Sequence, residues 1–142
     1  MALIFGVLLL LAIAFEAMQG AEAPWTIASV ASNAGFTGSD LVIAVAVAYA
    51  ESSGNPSAVG DSGDSIGLWQ IDTRYNPQFD ASQLTDPQYN ANAAFSIWQQ
   101  GGWSRWSTYN NGNYQNSMGQ AQSDVDDLSA DDSSDSGDDD NG

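Results

Sequence analysis

Among the 142 residues there is no His and no Cys, so His-based triads, His-ligated metals and thiol chemistry are all excluded. Carboxylates, hydroxyls, amides and Tyr remain as the chemical inventory. One carboxylate stands apart. Glu51 ends a nearly all-apolar run that starts at Leu41, and a polar turn, Ser52-Ser53-Gly54-Asn55-Pro56, follows it directly. A carboxyl group keeps its proton near neutral pH only where desolvation raises its pKa, and the end of an apolar helix is such a place. Glu51 is therefore the candidate proton donor. An isolated Glu near a helix end is by default a solvated surface residue, so the case for it depends on its surroundings.

Those surroundings read as helices. Pro24 at a first turn leads into Trp25, Ile27, Ala28 and Ala31 at helical spacing, with Gly35 as the stop. Ser39 or Asp40 can cap the next helix, where Leu41, Val42, Val45, Ala48 and Tyr49 recur at three- and four-residue intervals. The small Ala44, Ala46 and Ala50 leave it slim enough for close neighbours. A strand would alternate, whereas this run is apolar on nearly every side, as a buried central helix is. From Asn55 to Ile71 the Gly, Asp and Ser content predicts turns and at most a small hairpin. Asp86-Pro87 then starts an amphipathic helix through Tyr89, Ala91, Ala94, Phe95 and Trp98, which Gly101-Gly102 stops.

Three blocks in this frame resemble the soluble-lytic-transglycosylase group of the lysozyme-like superfamily. Glu51-Ser52-Ser53-Gly54-Asn55-Pro56 is similar to its helix-ending block, and Ser65-Ile66-Gly67-Leu68-Trp69-Gln70-Ile71 to its second block. The third, Ala-Tyr-Asn-x-Gly, appears as Thr108-Tyr109-Asn110-Asn111-Gly112, with Thr in place of Ala. Any one of them alone is a weak signal; three in order are a strong one. The resemblance spans roughly residues 25 to 115. It implies a mainly α fold, α+β at most, a small lysozyme-like domain with a catalytic Glu at the end of a central helix. The substrate it implies is the glycan strand of peptidoglycan, cleaved at the β-1,4 bond between N-acetylmuramic acid and N-acetylglucosamine.

Residue by residue, the resemblance makes Glu51 the acid, sets Ser65 near it, turns the Gln70 amide toward the substrate's acetamido group, and has Tyr109 hydrogen-bond at the acid. Asn110 joins the substrate-binding set. Glu51 is expected to face Trp69 or another aromatic; Trp69, Trp98, Trp103 and Trp106 could each stack on a sugar face, but most of them are expected in the core, with Trp69 the one placed in the cleft. The raised Glu is lysozyme's own pattern and is carried over from that family. Lytic transglycosylases use one Glu as acid and then base, with the muramic C6 hydroxyl attacking. A two-carboxylate hydrolase would instead need Asp61, Asp64 or Asp72, which sit in polar turns where a solvated Asp is the ordinary role. A lysozyme-type hydrolase and a catalytically silent structural or glycan-binding protein remain the alternatives. No metal or organic cofactor is implied.

The ends differ from the middle. Residues 2 to 15 form an uncharged apolar run of signal-peptide length, short of the roughly 20 residues of a bilayer span. Residues 1–23 are thus expected to be a signal or membrane anchor that puts the domain in the periplasm, at a cell surface or in a phage virion. The catalytic domain is expected over 24–120, monomeric unless part of a virion, and an acidic disordered tail over 121–142. Against 18 acidic residues stand only Arg74 and Arg105, too few cations for nucleic-acid binding. The Asp-rich end also lacks the spacing of a calcium loop.

Overall fold

The computed structural model describes residues 24–135. The expected signal or anchor at 1–23 and the last seven residues of the chain lie outside them. Helix α1, Ile27–Ala34, begins at a reciprocal cap: Ser29 N–H donates to Thr26 Oγ1 at 2.9 Å and Thr26 N–H to Ser29 Oγ at 2.8 Å. This cap moves the start past Pro24, whose ring fits a first turn but supplies no side-chain acceptor for orphan N–H groups. Gly35, at φ 128°, ends the helix.

Helix α2, Gly38–Ser52, is the central element. Ala44 through Ala48 are fully buried, because α1 and two later helices pack around it. Asp40 in its first turn accepts from Trp103 Nε1 at 3.1 Å instead of capping the helix. Ser53 closes the other end in the left-handed conformation at φ 54°. Three two-residue strands follow, β1 Val59–Gly60, β2 Ser65–Ile66 and β3 Ile71–Asp72, antiparallel in that order. Their register aligns Gly60, Ser65 and Asp72 in one cross-strand row.

Helix α3, Pro87–Gly101, starts at the expected Asp86 cap, whose side chain accepts from Tyr89 N–H. From it Asn90, fully buried, reaches across to the turn between β2 and β3. Its Oδ1 accepts from Trp69 N–H at 2.9 Å, and its Nδ2 donates to the carbonyls of Ile66 at 2.9 Å and Leu84 at 2.8 Å. Gly67 lies under this amide at φ 84°, where a Cβ would stand 2.2 Å from Asn90 Nδ2 and 2.3 Å from the Leu84 carbonyl oxygen. Only Gly fits there. On the far side, Phe36 packs against Phe95, Trp98 and Trp103 with ring centroids 5.1 to 5.3 Å apart.

Helix α4, Ser107–Asn110, is a single turn, and α5, Met118–Asp135, closes the domain. The expectation of a disordered tail from 121 is corrected as far as Asp135. Ala121 is fully buried, and Met118, Val125 and Leu128 pack against the core. These four recur at helical spacing and make a narrow apolar seam against α1 and α2. Asp124 accepts a hydrogen bond from the Tyr49 hydroxyl of α2. The surrounding Asp residues lower the average hydrophobicity but leave that seam continuous.

Candidate active site

A cleft of about 490 Å³ opens between the small sheet and the turn ahead of α4. Glu51, in the last turn of α2, lies on it; so do Gly60, Ser65 and Asp72, the cross-strand row of the sheet. Glu51 is half-buried. Burial pushes its carboxyl above the ordinary Glu value, and the nearby Asp61 charge adds to the rise, whereas the Thr108 hydroxyl works against it. Thr108 Oγ1 donates to Glu51 Oε1 at 2.9 Å. That bond holds one carboxyl oxygen in place. The arrangement suits a general acid that is stable in either protonation state.

Asp61 and Asp72 line the same cleft under different constraints. Asp61, at φ 50°, accepts from Ser65 Oγ at 2.6 Å. Asp72 is gripped by Arg74, with Nε to Oδ1 at 3.1 Å and Nη2 to Oδ2 at 2.8 Å, and this guanidinium holds its carboxyl below the usual Asp range. Arg74 Nε also stands 3.4 Å from Asp64. Among the described residues, no group of three or more acidic side chains is placed to hold a metal ion. None of their helices is long and apolar enough to cross a membrane.

A family described as a lysozyme-like domain matches residues 28–108, more than half of the chain, including Glu51, the turn after it and Thr108. The chain belongs to that family. No curated protein and no solved structure matches it. Membership in the lysozyme-like family carries a peptidoglycan-related, glycosidase-type activity, and the mainly helical fold with its small sheet agrees with the lysozyme-like architecture.

Within this lysozyme-like frame the expected site residues fall into three groups. Glu51, Ser65 and Gln70 share the cleft. Ser65, however, donates to Asp61 and not to the Glu. Gln70 turns both amide hydrogens back to the loop, donating to the carbonyls of Ala58 and Gly67 at 3.0 Å each, so only Oε1 is free to face a ligand. Its role is first to shape the wall.

Trp69, Tyr109 and Asn110 depart from expectation. Trp69 is fully buried, and its Nε1 donates to the Ala44 carbonyl of α2 at 2.9 Å. With Leu68 also inward, the Gly-Leu-Trp-Gln turn is an anchor in the core, and Trp106 is the Trp on the cleft. Tyr109 stacks on Tyr114 at 4.7 Å between ring centroids and faces Trp103 at 6.3 Å. The hydroxyl bonded to Glu51 comes from its neighbour Thr108. Asn110 is exposed and donates to the Ser104 carbonyl at 2.8 Å, off the cleft.

Sequence reasoning passed over Thr108 and Asn90. Thr108 was visible as the departure from the third block, since a hydroxyl replaces a methyl one residue before the family Tyr. Asn90 carried no signal, because a buried amide on an amphipathic helix looks in sequence like any polar position.

Proposed function

We propose that this domain cleaves the glycan strands of peptidoglycan at the β-1,4 bond between N-acetylmuramic acid and N-acetylglucosamine, as a single-Glu lytic transglycosylase. The observation that carries this is Glu51, which lines the cleft with its carboxyl raised by burial and held at one oxygen by Thr108. In the first step Glu51 gives its proton to the glycosidic oxygen as the bond to the muramic C1 breaks. Thr108 then stabilises the carboxylate left behind, since a hydrogen bond to the charged form favours it. In the second step that carboxylate takes the proton of the muramic C6 hydroxyl while O6 bonds to C1. The product is a 1,6-anhydro sugar and Glu51 is protonated again, so acid and base are one residue.

Hydrolysis is the second possibility, favoured by one specific contact: Asp61 shares the cleft with Glu51 and its charge is felt there. In that role Asp61, steadied by Ser65, would activate water or stabilise the positive C1. Asp72 is less suited, because Arg74 already claims both its oxygens. Peptidoglycan lies outside the cytoplasmic membrane, so either chemistry assigns the apolar run at 2–15 an export or tethering role.

Mass spectrometry of the soluble products from purified peptidoglycan separates the two. Anhydro-muropeptides, lost in Glu51→Gln, are the expected result. Reducing-end products that vanish in Asp61→Asn would move the assignment to a hydrolase, and no release by folded protein at any salt concentration would overturn the enzyme.

A further inference from the structure

The whole sequence holds two cations, Arg74 and Arg105, and they are used differently. Arg74 is spent on Asp72 and Asp64. Arg105 lies on the cleft with Glu51, Trp106 and Ser107. It is exposed, and among the described residues its guanidinium makes no ion pair or side-chain hydrogen bond. It has a definite seat all the same. A Cβ on Gly101 would come 2.0 Å from its Nε and 2.9 Å from its Cζ, so the absence of a side chain at the end of α3 makes room for the head group. The negative end of the α3 dipole favours a cation there.

From this we infer that Arg105 receives a carboxylate of the glycan and thereby selects muramic-acid-containing strands over neutral β-1,4-linked N-acetylglucosamine. The other charged groups on the cleft are Glu51, Asp61 and the Arg74-paired Asp72, and the formal net charge of the chain is −16. An anionic ligand is repelled by most of this surface and has one place to land. Peptidoglycan offers that anion in two positions, the lactyl group on the muramic ring and the peptide stem attached through it; strands of N-acetylglucosamine alone offer none. A guanidinium with its donors unused matches a carboxylate in fork geometry. This role presupposes the peptidoglycan substrate proposed above and adds what the cleft reads on it.

Isothermal titration in the Glu51→Gln background tests binding without turnover. Three ligands are compared: an N-acetylglucosamine hexamer, a peptide-free strand with free lactyl carboxylates, and a strand that keeps its stems. Adding Arg105→Gln is expected to weaken the carboxylate-bearing strands about tenfold at low salt and to leave the neutral hexamer within about twofold. The gap should narrow as salt rises. A loss on the peptide-free strand assigns the lactyl carboxylate; a loss confined to the stem-bearing strand assigns the stem. Gly101→Ala should reproduce part of the loss by displacing the head group, and Arg105→Lys should restore part of it.

Equal weakening of neutral and charged strands, or none on either, would overturn the assignment, with thermal melting confirming that each variant is folded. Cleavage by the wild type is read separately. Charge discrimination without cleavage would leave Arg105 its ligand and remove the enzyme, and cleavage without discrimination would do the reverse.

Discussion

Glu51 and Asp72 line one cleft, and their surroundings drive their proton affinities apart. Glu51 is raised chiefly because α2 takes it out of water, and its hydrogen-bonding partner is an uncharged hydroxyl. Asp72 sits half-buried on a two-residue strand, with a guanidinium across both oxygens, and is lowered. One acid thus holds its proton to higher pH than an ordinary Glu, and the other stays ionised to lower pH than an ordinary Asp. The chemistry of a carboxyl group is set by its neighbours, and here the buried central helix makes the difference on one side and a single Arg on the other.

Removing the raised side is the strongest break in that comparison. Glu51→Gln should lower turnover by roughly 10³-fold, measured as soluble muropeptide release. It should also raise Tm at neutral pH. The sign follows from the direction of the shift: a carboxyl whose folded pKa lies above its unfolded value stabilises the fold while protonated and loses that contribution as pH rises through the folded pKa. The gain of the Gln variant should therefore fade as pH drops below the ordinary Glu range.

Next comes the residue that ties the β2–β3 turn, and with it the Asp72 strand, to α3. Asn90→Ala leaves the Trp69 N–H and the Ile66 and Leu84 carbonyls without their buried partner, at a cost of about 3 kcal/mol in denaturant unfolding. An unfolding midpoint equal to the wild type's would show that the β2–β3 turn is held by something else.

Thr108→Val is subtler. With the donor gone the carboxylate form of Glu51 loses support, so the pKa rises further; the alkaline limb of the pH–rate profile should move up while kcat falls about tenfold. An unmoved limb would remove Thr108 from the acid's control. Smallest is Arg74→Gln, beside Asp72. It frees Asp72 and should lower Tm slightly at neutral pH. Because Asp72 is depressed in the fold, its stabilisation is present above the unfolded pKa and lost as pH falls through the folded one, so the two proteins should melt alike in strong acid.

Much of the fold was legible because long-range packing left a periodic trace. The slim stretch from Leu41 to Ala50, apolar on nearly every side despite its β-branched residues, read as an enclosed helix, and Asp86-Pro87 with Gly101-Gly102 framed α3. The place of Glu51 was legible for the same reason, as the acid in the last turn of that helix. The rest of the site depended on which way side chains turn. Trp69 belongs to a motif that reads as a cleft wall, yet its indole N–H finds the Ala44 carbonyl inside the core. Tyr109 and Thr108 are adjacent on one helical turn, and only their directions decide which reaches the acid. Helix α5 was hidden by composition, since a seam of Met118, Ala121, Val125 and Leu128 is easily overlooked among so many Asp residues.

The matched family region stops at Thr108, the residue whose hydroxyl grips Glu51. A chain ended at that point would carry the grip on a free terminus. The four-residue helix that fixes its direction would be cut, along with the Tyr109–Tyr114 stack and the α5 seam behind it. Terminal residues fray, and each carries a backbone entropy of roughly 1–2 kcal/mol that only tertiary contact holds down. The smallest portable unit of this site is therefore larger than its recognisable motif: Glu51 is encoded before residue 60, but what steadies its partner Thr108 is encoded after residue 108.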